Sequence, residues 1–202
     1  MDETVRRGGR PRRSSAQVLA DAAAELFLEQ GYGRTTVDQV AARAGVSRAT
    51  FFNYFAAKSD VLWLELDAAV ADVPVFLAAS TERSPVRAVE EALVAAARAH
   101  DPERVPWAIA QAEVMDIGTE LVASVAARVM AQHGAVAAFV AGRTGERPTA
   151  LWPQTVSGAL LGAAAAAFGV WVADGVGRRS LVEYVGAALT PVAAGLDARC
   201  GS

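Results

Sequence analysis

Glycine and proline punctuate this chain at intervals that suit helices, and between them apolar residues recur at every third and fourth position. No Val/Ile/Thr alternation is bounded by Asn-Gly or Asp-Gly, so a hairpin has no signal here. No repeat of 20–50 residues is visible. The pattern predicts an all-α fold of about nine helices. With 202 residues and 53% apolar content, the chain can build one ordinary domain or two small ones that share a core.

The first segment is different in kind. Residues 1–13 form a Gly/Arg/Pro arm carrying Arg6, Arg7, Arg10, Arg12 and Arg13, with too little apolar content to pack. Ser14 or Ser15 caps a first helix that runs to about Glu29, with Val18, Ala22 and Leu26 as its apolar stripe and Leu19 and Ala23 beside them. Gly31 and Gly33 stop it. Thr36 followed by Gln39 three residues later has the form of a capping box, which opens a short second helix through Val37, Val40 and Ala41. Gly45 ends that helix, and Ser47 caps a third reaching about Tyr54. Two short helices joined across Ala44-Gly45-Val46 make a helix-turn-helix.

Further punctuation divides the remainder. A fourth helix starts at Ser59 and ends before Pro74; Ser84-Pro85 opens another, to about His100. Later helices are expected over Trp107–Asp116, Gly118–Gly142, Thr149–Asp174 and Ser180–Asp197, with a loop at Gly145–Pro148. Pro191 is expected to bend or interrupt the last of these.

Charge is distributed unevenly. Residues 1–60 hold nine Lys/Arg against seven Asp/Glu (+2); the rest hold ten against fifteen (−5), for a net charge of −3. A mildly basic head on an acidic body suits a chain that meets nucleic acid at one end only. The third helix has the right composition for that end. A helix entering a major groove about 12 Å wide needs slender polar residues in front, and Arg48-Ala49-Thr50 supply them. The Arg48 fork suits guanine O6/N7, while Ala49 and the Thr50 methyl suit a thymine methyl. Phe51 and Phe55, four apart, turn back into the core, which puts Phe52, Asn53 and Tyr54 outside.

The run Thr35-Thr36-Val-Asp-Gln-Val-Ala-Ala-Arg-Ala-Gly45-Val-Ser47-Arg-Ala-Thr50-Phe-Phe-Asn-Tyr-Phe55-Ala-Ala-Lys58 resembles the tetracycline-repressor (TetR) family of regulators, over about Ser15 to Leu66. The resemblance implies that Arg48, Ala49, Thr50, Phe52 and Asn53 lie where the family reads bases or their immediate backbone. It places Thr36, Ser47, Tyr54 and Lys58 where phosphates are held. Phe52 stands where tyrosine is common in the family, and Tyr54 where histidine is common. Arg12 and Arg13 of the arm would track phosphates or enter an adjacent minor groove. The head is thus expected over residues 14–58, and a ligand-binding and dimerisation body over 59–202.

For the body, the resemblance implies a homodimer joined through the last two helices of each subunit, and a pocket for a small-molecule effector. Gly158, Gly162 and Ala166 share one helical stripe, and Leu181, Val185 and Leu189 another; such stripes serve either intrachain packing or an interface. Trp107, Met115, Met130, Phe139, Trp152 and Trp171 are the candidate pocket residues, since such pockets are mainly apolar. Glu113 and Asp116 are candidates for orienting a polar ligand, and His100 and His133 read as surface or helix-end residues.

Other classes find little support. The sequence contains no Gly-x-Ser-x-Gly elbow, no phosphate-cradling glycine loop and no His-Glu-x-x-His, so an enzyme is not expected, nor a catalytic or metal centre or a cofactor. Cys200 is the only cysteine, and the start of the chain lacks a signal peptide's apolar core, which points to a cytoplasmic protein. Thr155–Ala173 has no charged residue across nineteen positions, but alanine and glycine dominate it, so no membrane span is expected.

Overall fold

The computed structural model describes residues 15–64, 67, 71–99, 118–174 and 179–198. The arm with Arg12 and Arg13, His100, the expected Trp107–Asp116 helix with Trp107, Glu113, Met115 and Asp116, and Cys200 lie outside the described residues, as does the side chain of Met130. Among the described residues all regular structure is helical, in nine segments. They fall into two compact units, divided after Leu64.

The head contains α1 (Ser15–Gln30), α2 (Val37–Arg43), α3 (Arg48–Phe52) and a 3₁₀ helix (Lys58–Trp63). Leu19, Ala23, Leu26 and Phe27 form the buried side of α1. Val40, Ala41, Phe51 and Phe55 are buried as well. The α2 capping box is present in full: Gln39 N donates to Thr36 Oγ1 at 3.2 Å, and Thr36 N to Gln39 Oε1 at 2.8 Å. Gly45 adopts φ +71°, a conformation costly for any residue with a Cβ. It lets the Val46 N–H close on the Ala41 carbonyl at 2.9 Å, so the helix-turn-helix pivots on a Schellman-type cap. The head also extends past the expected boundary at residue 58, because Val61, Leu62 and Trp63 are buried and the 3₁₀ helix packs on α1.

Polar groups tie these short helices together. Arg43, in the last turn of α2, donates to Glu25 at 3.1 Å and to both carboxylate oxygens of Glu29 at 2.9 and 2.7 Å. The hydrogen bonds from Arg43 hold the Glu29 carboxyl below its usual range. Thr35 is buried, and its hydroxyl reaches the Gly31 carbonyl at 2.9 Å while accepting from Gln30 at 3.2 Å. Lys58 Nζ donates to the Tyr32 and Thr35 carbonyls at 2.7 and 2.8 Å, and lies 3.8 Å from the centre of the Tyr32 ring. One ammonium therefore ties the α1–α2 loop to the start of the 3₁₀ helix.

The body comprises α4 (Val73–Ala79), α5 (Pro85–Ala99), α6 (Gly118–Thr144), α7 (Leu151–Ala173) and α8 (Leu181–Asp197). Helix α7 packs on α6 and α8, α8 on α5, and α5 on α4. Their core includes Val89, Leu93, Val136, Val140, Leu160 and Trp171. The buried Ser157 hydroxyl donates to the His133 carbonyl at 3.0 Å, linking α7 to α6. Ser84 Oγ accepts from Arg87 N at 3.3 Å and donates to Asp197, which joins the start of α5 to the end of α8. Asp67 meets Arg128 of α6 through two bonds, at 2.6 and 2.8 Å.

A turn at Asp72 precedes Pro74, which sits in the first turn of α4, where its missing N–H would have no helical partner anyway. Two expectations change. Helix α8 continues through Pro191 without interruption. Pro191 and Ala187 are both exposed, so the carbonyl deprived of its helical donor lies on the outward side. Leu181, Val185 and Leu189, expected at a dimer interface, are buried in the body's own core. Helix α7 is long and apolar enough to cross a membrane by length and composition. Its Leu160 and Trp171 are nevertheless buried in the core, while Gly158, Gly162 and Ala166 face outward.

Two predictions test these ties. Arg43→Ala should raise the Glu29 pKa toward the ordinary glutamate value, read from the Glu29 side-chain carboxyl by NMR titration. Because that pKa is lowered in the fold, the pair's contribution is complete above the unfolded value and is lost as pH falls through the folded one. A Glu29 titration unaltered by Arg43→Ala would mean that the pair does not persist in solution. Lys58→Met keeps the apolar stem and removes the ammonium from two carbonyls, so it should destabilise the head by about 1.5–3 kcal/mol. Urea unfolding should show a lower midpoint at unchanged slope; an unchanged midpoint would refute the tether.

Candidate nucleic-acid interface

The direction in which α3 faces follows from its buried residues. Phe51 has no exposed surface and Phe55 very little, and their rings lie 5.5 Å apart. With that side inward, Arg48, Ala49, Phe52, Asn53 and Tyr54 are exposed and Thr50 is partly so. Ser47 Oγ accepts from Thr50 N at 3.1 Å and also pairs with the Thr50 hydroxyl at 2.9 Å. The Thr50 hydroxyl is thereby held in the cap, which favours its methyl group for an outside contact. Phe52 stands edge-on to Phe51, and the Arg48 guanidinium lies 5.3 Å from the Phe52 ring centre.

Thr36 and Ser47, the two N-cap residues, are also exposed. Together with Arg48, Ala49, Phe52, Asn53 and Tyr54 they lie on one helix-turn-helix, six of them within the eight-residue run 47–54. The structure thus brings together most of the residues the sequence singled out for DNA. Lys58 is the exception in chemistry. Expected as a phosphate donor, it spends two of its three N–H groups on the Tyr32 and Thr35 carbonyls.

Asp38 escaped the sequence reading altogether. It lies in the first turn of α2, and its Oδ2 accepts from Arg48 Nη1 at 2.8 Å across the turn. The signal was available as an acidic and a basic residue ten positions apart, one at the head of each short helix. Spacing alone does not reveal it, because the angle between the helices decides whether the two side chains meet.

In the body, the expected pocket residues that are described belong with the core. Phe139 and Trp152 pack against it half-buried, and Trp171 is fully enclosed within it. The Trp171 indole N–H donates to the Arg179 carbonyl at 3.1 Å, and its ring lies 5.7 Å from Phe168. An indole so placed connects α7 to the start of α8. Among the described residues no group of three or more His, Cys, Asp and Glu side chains is arranged to hold a metal ion.

Comparison with known proteins agrees with this geometry. Residues 19–62 match the family model described as bacterial regulatory proteins, tetR family, and residues 83–197 match the one described as the MftR C-terminal domain. The chain is 32% identical over 191 residues to the mycofactocin biosynthesis transcriptional regulator MftR of Mycobacterium tuberculosis, covering 95% of this chain and 96% of that protein. It is 37% identical over 93 residues to the HTH-type transcriptional activator FasR of Mycolicibacterium smegmatis, covering 43% and 42%. It is 48% identical over 50 residues to the HTH-type transcriptional regulator TcmR of Streptomyces glaucescens, covering 25% and 22%. With a helix-turn-helix whose outward face carries Arg48, Ala49, Phe52, Asn53 and Tyr54, and family models that together span most of its length, the chain belongs to the tetR family of bacterial regulatory proteins.

Proposed function

We propose that this protein is a sequence-specific repressor that binds operator DNA as a homodimer in the cytoplasm and is released by a small-molecule effector. The observation that carries the reading is the division of α3 into a buried side, Phe51, and an exposed side led by Arg48 and Ala49. Arg48 reads a guanine, Ala49 and the Thr50 methyl contact a thymine methyl, and Thr36, Ser47 and Tyr54 meet phosphates. The arm residues Arg12 and Arg13 add backbone or minor-groove contacts. The likeness over 95% of this chain to a protein named as a mycofactocin biosynthesis transcriptional regulator supports the same class of target genes here.

Dimerisation in this reading uses the outward face of α7, where Gly158, Gly162 and Ala166 allow a second backbone to approach closely, together with Ala187, Pro191 and Ala194 of α8. A partner copy, not lipid, covers this face. Effector binding to the body favours a form unable to hold DNA; coupling of about 1–3 kcal/mol changes operator affinity by about 5- to 150-fold.

Two variants test the reading. Arg48→Ala should lower the preference for a duplex selected from a randomised pool over a scrambled duplex, by about 1–3 kcal/mol; an unchanged preference would remove Arg48 as a base reader. Gly162→Arg is a clean probe of the interface, since a Cβ built there meets nothing within 4 Å inside the protomer. Sedimentation should show the wild type as a dimer and a folded Gly162→Arg variant as a monomer, because an unpaired charge in an apolar seam costs several kcal/mol. A folded variant that stays dimeric would place the interface elsewhere.

A further inference from the structure

Asp38 and Arg48 form an ion pair with a 2.8 Å bond, yet their side chains are 64% and 58% exposed. Exposed pairs of this kind contribute little to folding, so stability does not account for the contact. Its location is informative, since it joins the first turn of α2 to the first residue of α3 on the outward face of the helix-turn-helix. We propose that Asp38 is a specificity-determining positioning residue, which holds Arg48 for a base edge and discourages it from taking a phosphate. The proposal rests on the reading of Arg48 as the base reader.

Two contacts hold the guanidinium, the Asp38 carboxylate from α2 and the Phe52 ring from α3, 5.3 Å from the guanidinium carbon. An arginine side chain carries substantial rotamer freedom, and a fork held before binding loses less of it on contact. Of its five N–H donors only one is used by Asp38, so two remain available for guanine O6 and N7. A phosphate approaching the same fork meets the Asp38 carboxylate alongside it, and the pair as a whole is neutral. The loss therefore falls on sequence-independent binding, where cation–phosphate contacts supply most of the affinity. Discrimination rises because the wrong contact is made worse. Phe52 also fits this arrangement: it supplies the ring that Arg48 lies over.

The test uses the full-length chain with a duplex selected from a randomised pool and a scrambled duplex of equal length. Affinities are measured across a salt series for wild type, Asp38→Asn, Arg48→Ala and the double variant, with thermal melts to confirm folding. Asp38→Asn should tighten binding to the scrambled duplex, steepen its salt dependence by about 0.9 as Arg48 becomes free for a phosphate, and lower the selected-to-scrambled ratio by about tenfold. In the Arg48→Ala background the same change should alter the ratio by less than about twofold, within the ordinary limits of additivity. An equal effect in both backgrounds overturns the proposal, because Asp38 would then act on DNA without Arg48. If Arg48→Ala collapses the ratio and Asp38→Asn leaves it intact, the role of Asp38 falls while Arg48 remains the reader. If Arg48→Ala itself leaves the ratio unchanged, the base-reading assignment fails and the proposal with it.

Discussion

The head depends on how two phenylalanines are buried. A five-residue helix such as α3 cannot persist on its own hydrogen bonds, so the packing of Phe51 and Phe55 holds it in place. Once those rings are inward, the helical repeat leaves Arg48, Ala49, Phe52 and Asn53 no choice but to face out. The caps at Thr36 and Ser47 set where α2 and α3 begin, and Gly45 sets the turn between them. The recognition surface is the other side of the core, and the same sequence constraints shape both.

Much of this is legible in the sequence. Capping residues, the glycine turn and apolar spacing located α1, α2 and α3 to within about two residues, because each signal acts through nearby backbone. The α7 stripe of Gly158, Gly162 and Ala166 was legible for the same reason. Elements that depend on distant contacts were not. Whether Leu181, Val185 and Leu189 face a partner or their own core depends on which helices stack around α8, and a helical stripe reads the same in both cases. Proline both follows helices and begins them, so Pro74 marks a boundary without telling what comes after it. Likeness gives Lys58 a phosphate role, whereas its ammonium donates to carbonyls 23 and 26 residues earlier, which no local pattern announces.

The body shows how an alanine-rich chain builds a core without many large side chains. Ala92, Ala96, Ala97, Ala167 and Ala193 are buried in it, while Trp171 and a few leucines and valines provide bulk. Small residues let helix axes approach, and close packing of many small contacts substitutes for a few large ones. The polar links between elements differ in reach: Ser157 to the His133 carbonyl ties the consecutive helices α6 and α7, whereas Ser84 to Asp197 joins positions 113 residues apart and brings the start of α5 to the end of α8. The same economy leaves the outer face of α7 smooth and apolar, which is the surface assigned here to a second copy.

In this reading DNA meets the face opposite Phe51 and Phe55. Titrating the selected duplex into the isotope-labelled protein and following backbone amides by NMR maps that face residue by residue. The largest shifts should cluster at Thr36–Asp38 and Ser47–Tyr54, with little change along Gln17, Asp21 and Glu25 on the polar side of α1. Shifts concentrated on α1, or confined to residues beyond Leu64, would contradict it.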